Sequence, residues 1–279
     1  MVWECVITGC GTSHGNPPWG VPASWSTDPR DRRRRSGAIL RGPADEVVLL
    51  DIGPDLADQL RDPYRDWDGL SYPARCVTSC DGVLLTHDHA DHMHGINELR
   101  HLNRLMGGDT IRIFGAAEHL SVLRGSFPYC FPSSGEEAYQ LAVPHLATVA
   151  IDLHQPFRVA GIDVLPLPTS HGPAGPVTAY RIGELAYCTD CKIIPDETLT
   201  ALHGVDLLVL DMLREKEHPT HMNFDEAMAV VETLKPRQTV LVHTGHEVRY
   251  AEWQHRLPDG VVLAVDGWSQ TFDADAGGG

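Results

Sequence analysis

The sequence has few basic residues, no apolar run long enough to span a bilayer, and no charged-then-apolar signal at its start. Its 279 residues contain 22 Lys and Arg against 38 Asp and Glu, so the net charge is −16 with histidine neutral. A surface this acidic repels polyanions, which argues against nucleic acid as a partner but allows a small anionic substrate bound by a local basic group. The missing apolar run and leader predict a cytoplasmic protein with no membrane partner.

Cysteine is present, but its spacing gives no disulfide framework. The seven cysteines are irregularly placed, and the long polar segment 14–35 contains none. Four of them are predicted to be small buried hydrophobic residues: Cys5, Cys10, Cys76 and Cys130. Cys188 and Cys191 have a C-x-x-C spacing, but they flank Asp190 at the end of an apolar run. Two core or rim thiols are therefore favoured over a separate zinc site.

No linker and no internal repeat divides the chain, and strand-like runs alternate with helical patterns. Several runs are nearly continuous in Leu and β-branched residues, which is typical of strands covered on both faces. The strand-like runs lie at 3–10, 36–42, 46–53, 81–86, 110–115, 157–167, 177–183, 185–190, 205–212, 238–244 and 260–267. The helical patterns lie at 54–62, 95–106, 117–125, 223–235 and 249–257, and Asn223 can cap the fourth.

The strand-like runs fall into two batches, each interrupted by helical patterns. With 42% hydrophobic residues the chain can bury a sizeable core. This arrangement predicts one α/β domain over 1–272, with two sheets between helical layers. The Asp- and Gly-rich end at 273–279 is predicted to be a disordered tail.

Histidine is abundant, with 16 in the chain, and it is concentrated in the motif LLTHDHADHMHG. His87 and His89 lie two apart just past an apolar strand, so an extended backbone directs both imidazoles the same way. Asp91 and His92 follow at the entry to a helical pattern, where a turn can aim them back at the strand end. Four metal-competent side chains therefore converge, which suits two adjacent metal ions. Asp88 has the opposite parity and is predicted to support or cap instead.

Three other apolar runs also end in a potential metal ligand. His171 follows one in LPTSHGP, Asp190 follows one in AYCTDC, and His243 follows one in TVLVHTGH. Each alone is weak, because a lone His or Asp at a strand end is more often only polar. Ligands gathered at strand ends from distant parts of the chain are nevertheless how open α/β sites are built. A carboxylate such as Asp190 could bridge two cations.

The combination of THDHADH, SHG, a strand-end TD and VHTGH resembles the metallo-β-lactamase fold superfamily over nearly the whole chain. A narrower resemblance is to the PhnP-type phosphodiesterases, which open cyclic phosphates of phosphoribosyl compounds. GCGTSHGNP, RRRRSGAIL, DIGPDLADQL, THDHADHMHGINELR and HPTHMNFDEA carry that narrower match. The resemblance implies an αββα four-layer sandwich, in which two mixed β-sheets are flanked by helices, and it suggests a homodimer.

The resemblance also implies two divalent metal ions, Zn²⁺ or Mn²⁺, held by seven side chains. One ion would be bound by His87, His89 and His171, and the other by Asp91, His92 and His243, with Asp190 bridging. Relatives that reduce oxygen at a di-iron site usually have Glu in the place of His89, so a redox role is disfavoured. PhnP-type proteins often carry a cysteine cluster after the first strand. This chain has Ser36 where several relatives have Cys, and no structural zinc is predicted there.

Hydrolysis is the chemistry that such a site favours. Two bridged cations can generate a hydroxide at neutral pH and neutralise charge that builds on a phosphoryl or carbonyl oxygen. The resemblance implies that His221 is the general acid for the leaving group, beside the metal-bridging Asp190; the alternative is a histidine that only caps a helix. The predicted function is a phosphodiesterase acting on a small cyclic phosphate ester. The alternatives are hydrolysis of a thioester, lactone or β-lactam, or a non-catalytic metal-binding sensor.

Substrate contacts are predicted from the one strong basic cluster, RDRRRR, and from neighbouring histidines. Strand periodicity lets at most two of its consecutive arginines face one site, and Arg33 and Arg35 are the candidates for a bidentate phosphate clamp. The alternative is a solvated loop, or ion pairs with the acidic surface. Weaker candidates for substrate contact are His14, His218 and His246.

Overall fold

The two central sheets of the fold lie between helical layers. The computed structural model describes residues 1–65, 76–131 and 143–275. Each sheet has seven strands and mixes antiparallel with parallel pairs. The predicted αββα sandwich is therefore confirmed. Within the described ranges, none of the helices has the length and apolar character needed to cross a membrane.

The first sheet is built mainly from the N-terminal half of the chain. Its spatial order is β14-β1-β2-β3-β4-β5-β6. The last strand along the chain pairs antiparallel with the first, so both ends of the described chain share one sheet edge. The strands are β1 (Val2–Gly9), β2 (Gly37–Arg41), β3 (Val47–Leu50), β4 (Gly82–Leu84), β5 (Ile111–Gly115), β6 (Leu146–Ala150) and β14 (Trp268–Asp273).

The second sheet comes from the C-terminal half and repeats the same pattern of directions. Its order is β13-β12-β11-β10-β9-β8-β7, antiparallel from β7 to β10 and parallel from β10 to β13. The strands are β7 (Phe157–Val159), β8 (Ile162–Ser170), β9 (Pro176–Ile182), β10 (Leu185–Cys188), β11 (Leu207–Asp211), β12 (Gln238–Val242) and β13 (Val261–Leu263).

Helices cover the outer faces of both sheets. They are α1 (Leu56–Arg61), α2 (Ala90–Met93), α3 (Leu99–Leu105), α4 (Ala117–Ser126), α5 (Asp196–Leu202), α6 (Phe224–Leu234) and α7 (Tyr250–Trp253). The predicted cap of α6 is present: the Asn223 side chain accepts a hydrogen bond from the Glu226 backbone at 2.9 Å, and the Glu226 carboxylate accepts one from the Asn223 backbone.

Three apolar clusters hold the four layers together. The central one fills the space between the sheets, where Trp3, Tyr180 and Tyr187 are fully buried. One outer cluster packs α1 to α4 on the first sheet, and the other packs α5 to α7 on the second. Strands buried on both faces are the reason that the sequence shows continuous apolar runs instead of alternation.

Several predicted boundaries and environments differ from the structure. The run 157–167 forms two strands, β7 and β8, and the helical pattern at 249–257 is helical only over α7. Cys5, Cys10 and Cys130 are buried as predicted, but Cys76 is exposed, because it lies in the loop before β4 and not in a strand. The predicted tail begins inside β14, where Asp273 pairs with Val2. Residues 276–279 of that tail lie outside the described residues.

Candidate metal centre

The ends of strands from both sheets meet at one edge of the sandwich, and the predicted ligands lie there. Their potential ligand atoms form groups in which all atoms lie within 4.8 Å of one another. The first group is His87, His89 and His171; the second is Asp91, His92, Asp190 and His243; the third is His171, Asp190 and His221. All seven residues predicted as ligands are thus brought together, and His221 joins them.

Asp190 lies at the centre of this cluster. Its Oδ1 is 3.2 Å from His92 Nε2 and 3.1 Å from His243 Nδ1. Its Oδ2 is 4.0 Å from His171 Nε2, on the side of the first group. One carboxylate therefore faces both groups of ligands, which is the geometry required of a bridging ligand.

Partners on Nδ1 orient three of the histidines. His87 Nδ1 is 3.0 Å from Thr86 Oγ1, His92 Nδ1 is 2.7 Å from Asp51 Oδ2, and His171 Nδ1 is 2.6 Å from the Thr220 carbonyl. Each contact fixes the ring and leaves Nε2 directed at the cluster. This arrangement, with one nitrogen held and the other available, is typical of histidines that bind a metal.

The donor set fits divalent cations. His87 Nε2 is buried and, within the described part of the chain, has no hydrogen-bond partner. A buried polar atom without a partner is costly, so the atom needs a ligand that the polypeptide does not supply. Imidazole and carboxylate together suit zinc, manganese and iron. The geometry therefore supports a metal centre of divalent ions at this sheet edge.

Burial and charge set the protonation of the cluster. Burial lowers the pKa of His87 well below its usual value and that of His171 to about 4. Burial acts the same way on His92, but the carboxylates of Asp190 and Asp91 outweigh it and raise the pKa of His92 well above its usual range. His87 and His171 are therefore ready to donate a lone pair at neutral pH, whereas cation binding must displace a proton from His92.

The backbone is strained where strands deliver these groups. Asp51, Asp190 and His243 follow β3, β10 and β12, and all three have left-handed φ values of 62°, 51° and 56°. Such a conformation costs a non-glycine residue about 1–3 kcal/mol and is concentrated at functional sites. In this protein the left-handed backbone directs the predicted ligands Asp190 and His243, and the carboxylate of Asp51 that orients His92, toward the same cluster.

His221 lies beside the ligands with its own carboxylate partner. Its Nδ1 is 2.8 Å from Oδ2 of Asp211, the buried last residue of β11. Its ring stacks on that of His243 at 4.6 Å and meets that of His171 edge-on at 4.5 Å. Burial lowers the pKa of His221 and raises that of Asp211. The histidine is therefore held through Nδ1, with a ring nitrogen within 4.8 Å of the potential ligand atoms of His171 and Asp190.

An open cavity of about 520 Å³ leads to His221 and His243. The three predicted substrate-contact histidines line it: His14, His218 and His246. Arg35 lies in a neighbouring shallow pocket of about 300 Å³, which shares His14 as a lining residue. Its side chain is 30% exposed, and its guanidinium donates to Asp55 and to the Ser13 carbonyl. The contact of these residues with substrate stays a prediction.

Arg33 does not fit the predicted phosphate clamp. Its guanidinium is fully buried and donates to Thr244 Oγ1 at 2.6 Å, the Val248 carbonyl at 2.7 Å and Asp31 Oδ1 at 3.2 Å. A side chain without exposure and with these partners fixes the loop after His243 and is not available to a ligand. The basic run is therefore divided: Arg33 is structural and Arg35 faces solvent.

Arg33→Ala should lower the free energy of unfolding by about 3–5 kcal/mol, because Asp31 is left buried without its counter-charge. Urea denaturation of the metal-free protein measures this loss. Arg32→Ala is the matched control, since Arg32 is exposed and its removal should change stability by no more than about 0.5 kcal/mol. If Arg33→Ala is as stable as the wild type but binds substrate more weakly, Arg33 belongs to the phosphate clamp after all.

Two supporting carboxylates, Asp51 and Asp211, were not predicted from the sequence. Both stand at the end of an apolar strand, in VVLLD and LLVLD, which is the signal that identified Asp190. Asp51 also accepts hydrogen bonds from the Thr86 backbone and hydroxyl. Asp88 is where its parity placed it, with Oδ1 at 3.1 Å from His119 Nδ1.

Ser36 lies against the ligand cluster, and Cys188 and Cys191 are core thiols as predicted. Ser36 Oγ is 2.8 Å from His243 Nδ1 and so contacts a predicted ligand of the cluster. Cys188 and Cys191 are fully buried in the outer apolar cluster of the second sheet. Cys191 Sγ lies 3.4 Å from the Cys188 carbonyl.

Comparison with known proteins gives matches over most of the chain. Residues 46–244 match the family described as beta-lactamase superfamily domain. The crystal structure of a new diphosphatase from the PhnP family is 30% identical, has a TM-score of 0.83 and covers 98% of each chain. Zn²⁺-bound PqqB from Methylobacterium extorquens is 19% identical with a TM-score of 0.71, and the match covers 96% of this chain and 99% of that protein. At this level of identity, the similarity shows a shared fold and no more.

One curated relative is named for a different activity. An octanoyltransferase of Porphyromonas gingivalis (strain ATCC BAA-308 / W83) is 29% identical over 274 residues, which are 97% of this chain but 52% of that protein. The chain thus spans about half the length of this relative, so that protein's activity does not transfer with the match. On the family match and the shared fold, the chain belongs to the metallo-β-lactamase superfamily, whose fold is that of metal-dependent hydrolases, and is close to the PhnP family.

Proposed function

We propose that the protein is a phosphodiesterase that hydrolyses a small, anionic, cyclic phosphate ester with two divalent ions, Zn²⁺ or Mn²⁺, per chain. The observation that carries this proposal is the His221–Asp211 pair at the end of the cavity, directly beside the ligand cluster. The ions, when bound, would activate water and neutralise charge on the phosphate. The same residues could support hydrolysis of other bonds, but a proton donor beside a candidate site for two dications favours an anionic phosphate ester.

Each side chain then has a specific task. Asp211 holds His221 through Nδ1, which leaves Nε2 to give its proton to the leaving oxygen as the P–O bond breaks. The new P–O bond forms to the oxygen of water, which loses one proton to solvent and keeps the other on the product phosphate. His221 then regains its proton from solvent. Thr220 and Asp51 fix the rings of His171 and His92, which keeps the reacting groups aligned.

A second candidate is hydrolysis of a diphosphate linkage. The relative with 30% identity is described as a diphosphatase, and the bond it breaks differs from a phosphodiester only in its leaving group. The leaving phosphate of a diphosphate is a weaker base than an alkoxide and needs a proton less. The His221 acid therefore favours the ester, whereas the relative favours the anhydride. The octanoyltransferase suggests a further alternative, an acyl substrate whose ester or thioester bond would be broken in place of a phosphate bond.

A substrate screen with defined metal content tests the proposal. The metal-free protein is reloaded with Zn²⁺ or Mn²⁺ and offered a ribose cyclic phosphate, a linear diester, a dinucleoside diphosphate, a thioester and a lactone. The cyclic phosphate should give a kcat/KM at least about tenfold above the others, and chelation should abolish the activity. Preference for the dinucleoside diphosphate would support the second candidate. Preference for a thioester or lactone would reject phosphate chemistry.

A further inference from the structure

Trp19 is the most exposed of the large hydrophobic side chains reported for the described residues, at 93% of its surface. An indole left in water contributes nothing to the core and loses the free energy that its burial would give. Trp19 also lines the cavity that leads to His221 and His243. An exposed aromatic on the wall of a candidate active site is best explained by a ligand that covers it.

The loop that carries Trp19 is anchored to the metal centre. Asn16 pairs with the backbone of Arg33, and its side chain donates to the carbonyl of Thr244, the residue after His243, at 2.8 Å. A tight turn follows, closed by a hydrogen bond from Val21 N to the Pro18 carbonyl, with Gly20 at a φ of 91° that favours glycine. Trp19 lies at the tip of this turn, so the hydrogen bonds of Asn16 and the turn set its position relative to the site.

The rest of the cavity wall is mixed: Pro18 and Leu213 are apolar, whereas most of the other lining residues are polar and partly basic. His246 lies beside it, with its ring 6.2 Å from that of Trp25, and Arg214 is about one-third exposed. Glu247 is the acidic lining residue, 3.9 Å from Arg214. A volume of about 520 Å³ is within the range of small-molecule sites. The cavity therefore offers the flat aromatic surface of Trp19 and several donors for an anion.

We propose that the substrate of this site is a nucleotide, whose base stacks on Trp19 while its phosphate lies at His221. This inference rests on the proposed function and specifies its substrate class. A purine has the flat π surface that stacks on indole whatever its hydrogen-bonding edge, and such stacking is sequence-tolerant. The sugar between base and phosphate then spans the cavity. Trp19 is a specificity-determining residue that binds the non-reacting end of the substrate.

Binding of two probes that differ only in the base tests the proposal without turnover. Adenosine 5′-monophosphate and ribose 5-phosphate are titrated calorimetrically into the metal-loaded protein. The wild type should bind the nucleotide about tenfold or more tightly than the sugar phosphate. Trp19→Ala should lose that preference while its affinity for ribose 5-phosphate changes less than about twofold, and Trp19→Phe should keep most of it. Tyr129→Ala removes another exposed aromatic, which is not among the cavity-lining residues, and should leave both affinities unchanged.

Three results would overturn the proposal. The first is a wild type that binds both probes equally. The second is a Trp19→Ala variant that keeps the preference for the nucleotide. The third is a Trp19→Ala variant that changes the molar mass in solution, measured by light scattering, with the nucleotide preference intact; Trp19 would then be a contact between copies of the chain.

Turnover separates this proposal from the proposed function. Adenosine 2′,3′-cyclic phosphate is compared with the cyclic phosphate of methyl riboside, which lacks the base. Equal kcat/KM for both in the wild type would leave the phosphodiesterase intact and reject the Trp19 subsite. Hydrolysis of neither, with the preference for adenosine 5′-monophosphate still present, would reject the phosphodiesterase and keep the subsite.

Discussion

Asp190→Ala should bind fewer than two metal ions per chain and lower kcat/KM by at least about a hundredfold. The carboxylate faces both ligand groups, with oxygens 3.2 Å from His92 and 4.0 Å from His171. Its loss removes the shared ligand and a negative charge that offsets two dications. Without that negative charge the two dications would repel each other more strongly, so at least one ion should leave.

The same substitution should lower stability most when metal is present. Ligands that bind the folded state alone stabilise it by about 2.7 kcal/mol at a concentration one hundred times Kd, and the variant loses this gain. In the metal-free protein Asp190 is a buried carboxylate at a φ of 51°, a conformation that costs alanine more than asparagine. Asp190→Asn keeps the side-chain volume and tolerates that backbone, so it isolates the effect of the charge.

Metal content by mass spectrometry, kinetics, and thermal unfolding with and without metal measure these effects. Asp88→Ala is the matched control, because this carboxylate belongs to the same motif but contacts His119 and not the cluster. It should keep both ions and most activity. An Asp190→Asn protein that retains two ions and wild-type turnover would show that the carboxylate is not a bridging ligand.

The sequence predicts the layers of this fold because hydrophobic burial dictates them. Strands covered on both faces need continuous apolar residues, so β3 and β11 were visible as VVLL and LLVL. β14 was missed because it is an edge strand paired only with β1, and its WSQTFD pattern mixes polar and apolar residues. The short helix α2 was missed because its residues were recognised as ligands and not as a helical turn.

The ligand cluster was predictable for a similar reason. A buried strand must end at a sheet edge, and a polar residue of ligand type at that point has few other tasks. His171, Asp190 and His243 were predicted as ligands because each follows an apolar strand, and the structure places all three in the cluster. Asp51 and Asp211 carry the same signal, but a single sequence does not say whether a strand-end carboxylate faces a metal or holds a histidine.

The basic run shows what the sequence does not contain. Strand periodicity limits how many arginines face one way, but it does not say which side is the protein interior. Arg33 faces inward, to Asp31 two residues earlier and to Thr244, which is far away in the chain. Trp19 is the converse case: its loop has no periodicity, so only the three-dimensional path shows that it lies on the cavity of His221.

His221→Ala should keep both metal ions and lose about 100- to 10,000-fold in kcat on a diester with an alkoxide leaving group. The alkoxide is a strong base and cannot depart without a proton, whereas a nitrophenolate can. Activity on an activated aryl diester should therefore fall by less than about tenfold. The ring of His221 contacts those of His171 and His243, and one of its nitrogens lies within 4.8 Å of the potential ligand atoms of His171 and Asp190. The seven predicted ligands remain in the variant, so we expect both ions to stay bound; loss of an ion would instead make His221 a metal ligand.

The dependence of kcat on leaving-group pKa distinguishes a proton donor from a structural residue, because loss of a structural residue would not change that dependence. Across a series of aryl and alkyl diesters, the variant should show a steeper fall in kcat as the leaving group becomes more basic. His218→Ala is the matched control, because its ring lies 5.4 Å from that of His221 on the same cavity wall, but its Nδ1 contacts the Thr220 hydroxyl and, among the described residues, has no carboxylate partner such as Asp211. Asp211→Asn should fall between the two, since it leaves His221 in place without its charged partner. An equal loss on all leaving groups in His221→Ala would mean that the histidine orients the substrate and that the proton comes from elsewhere.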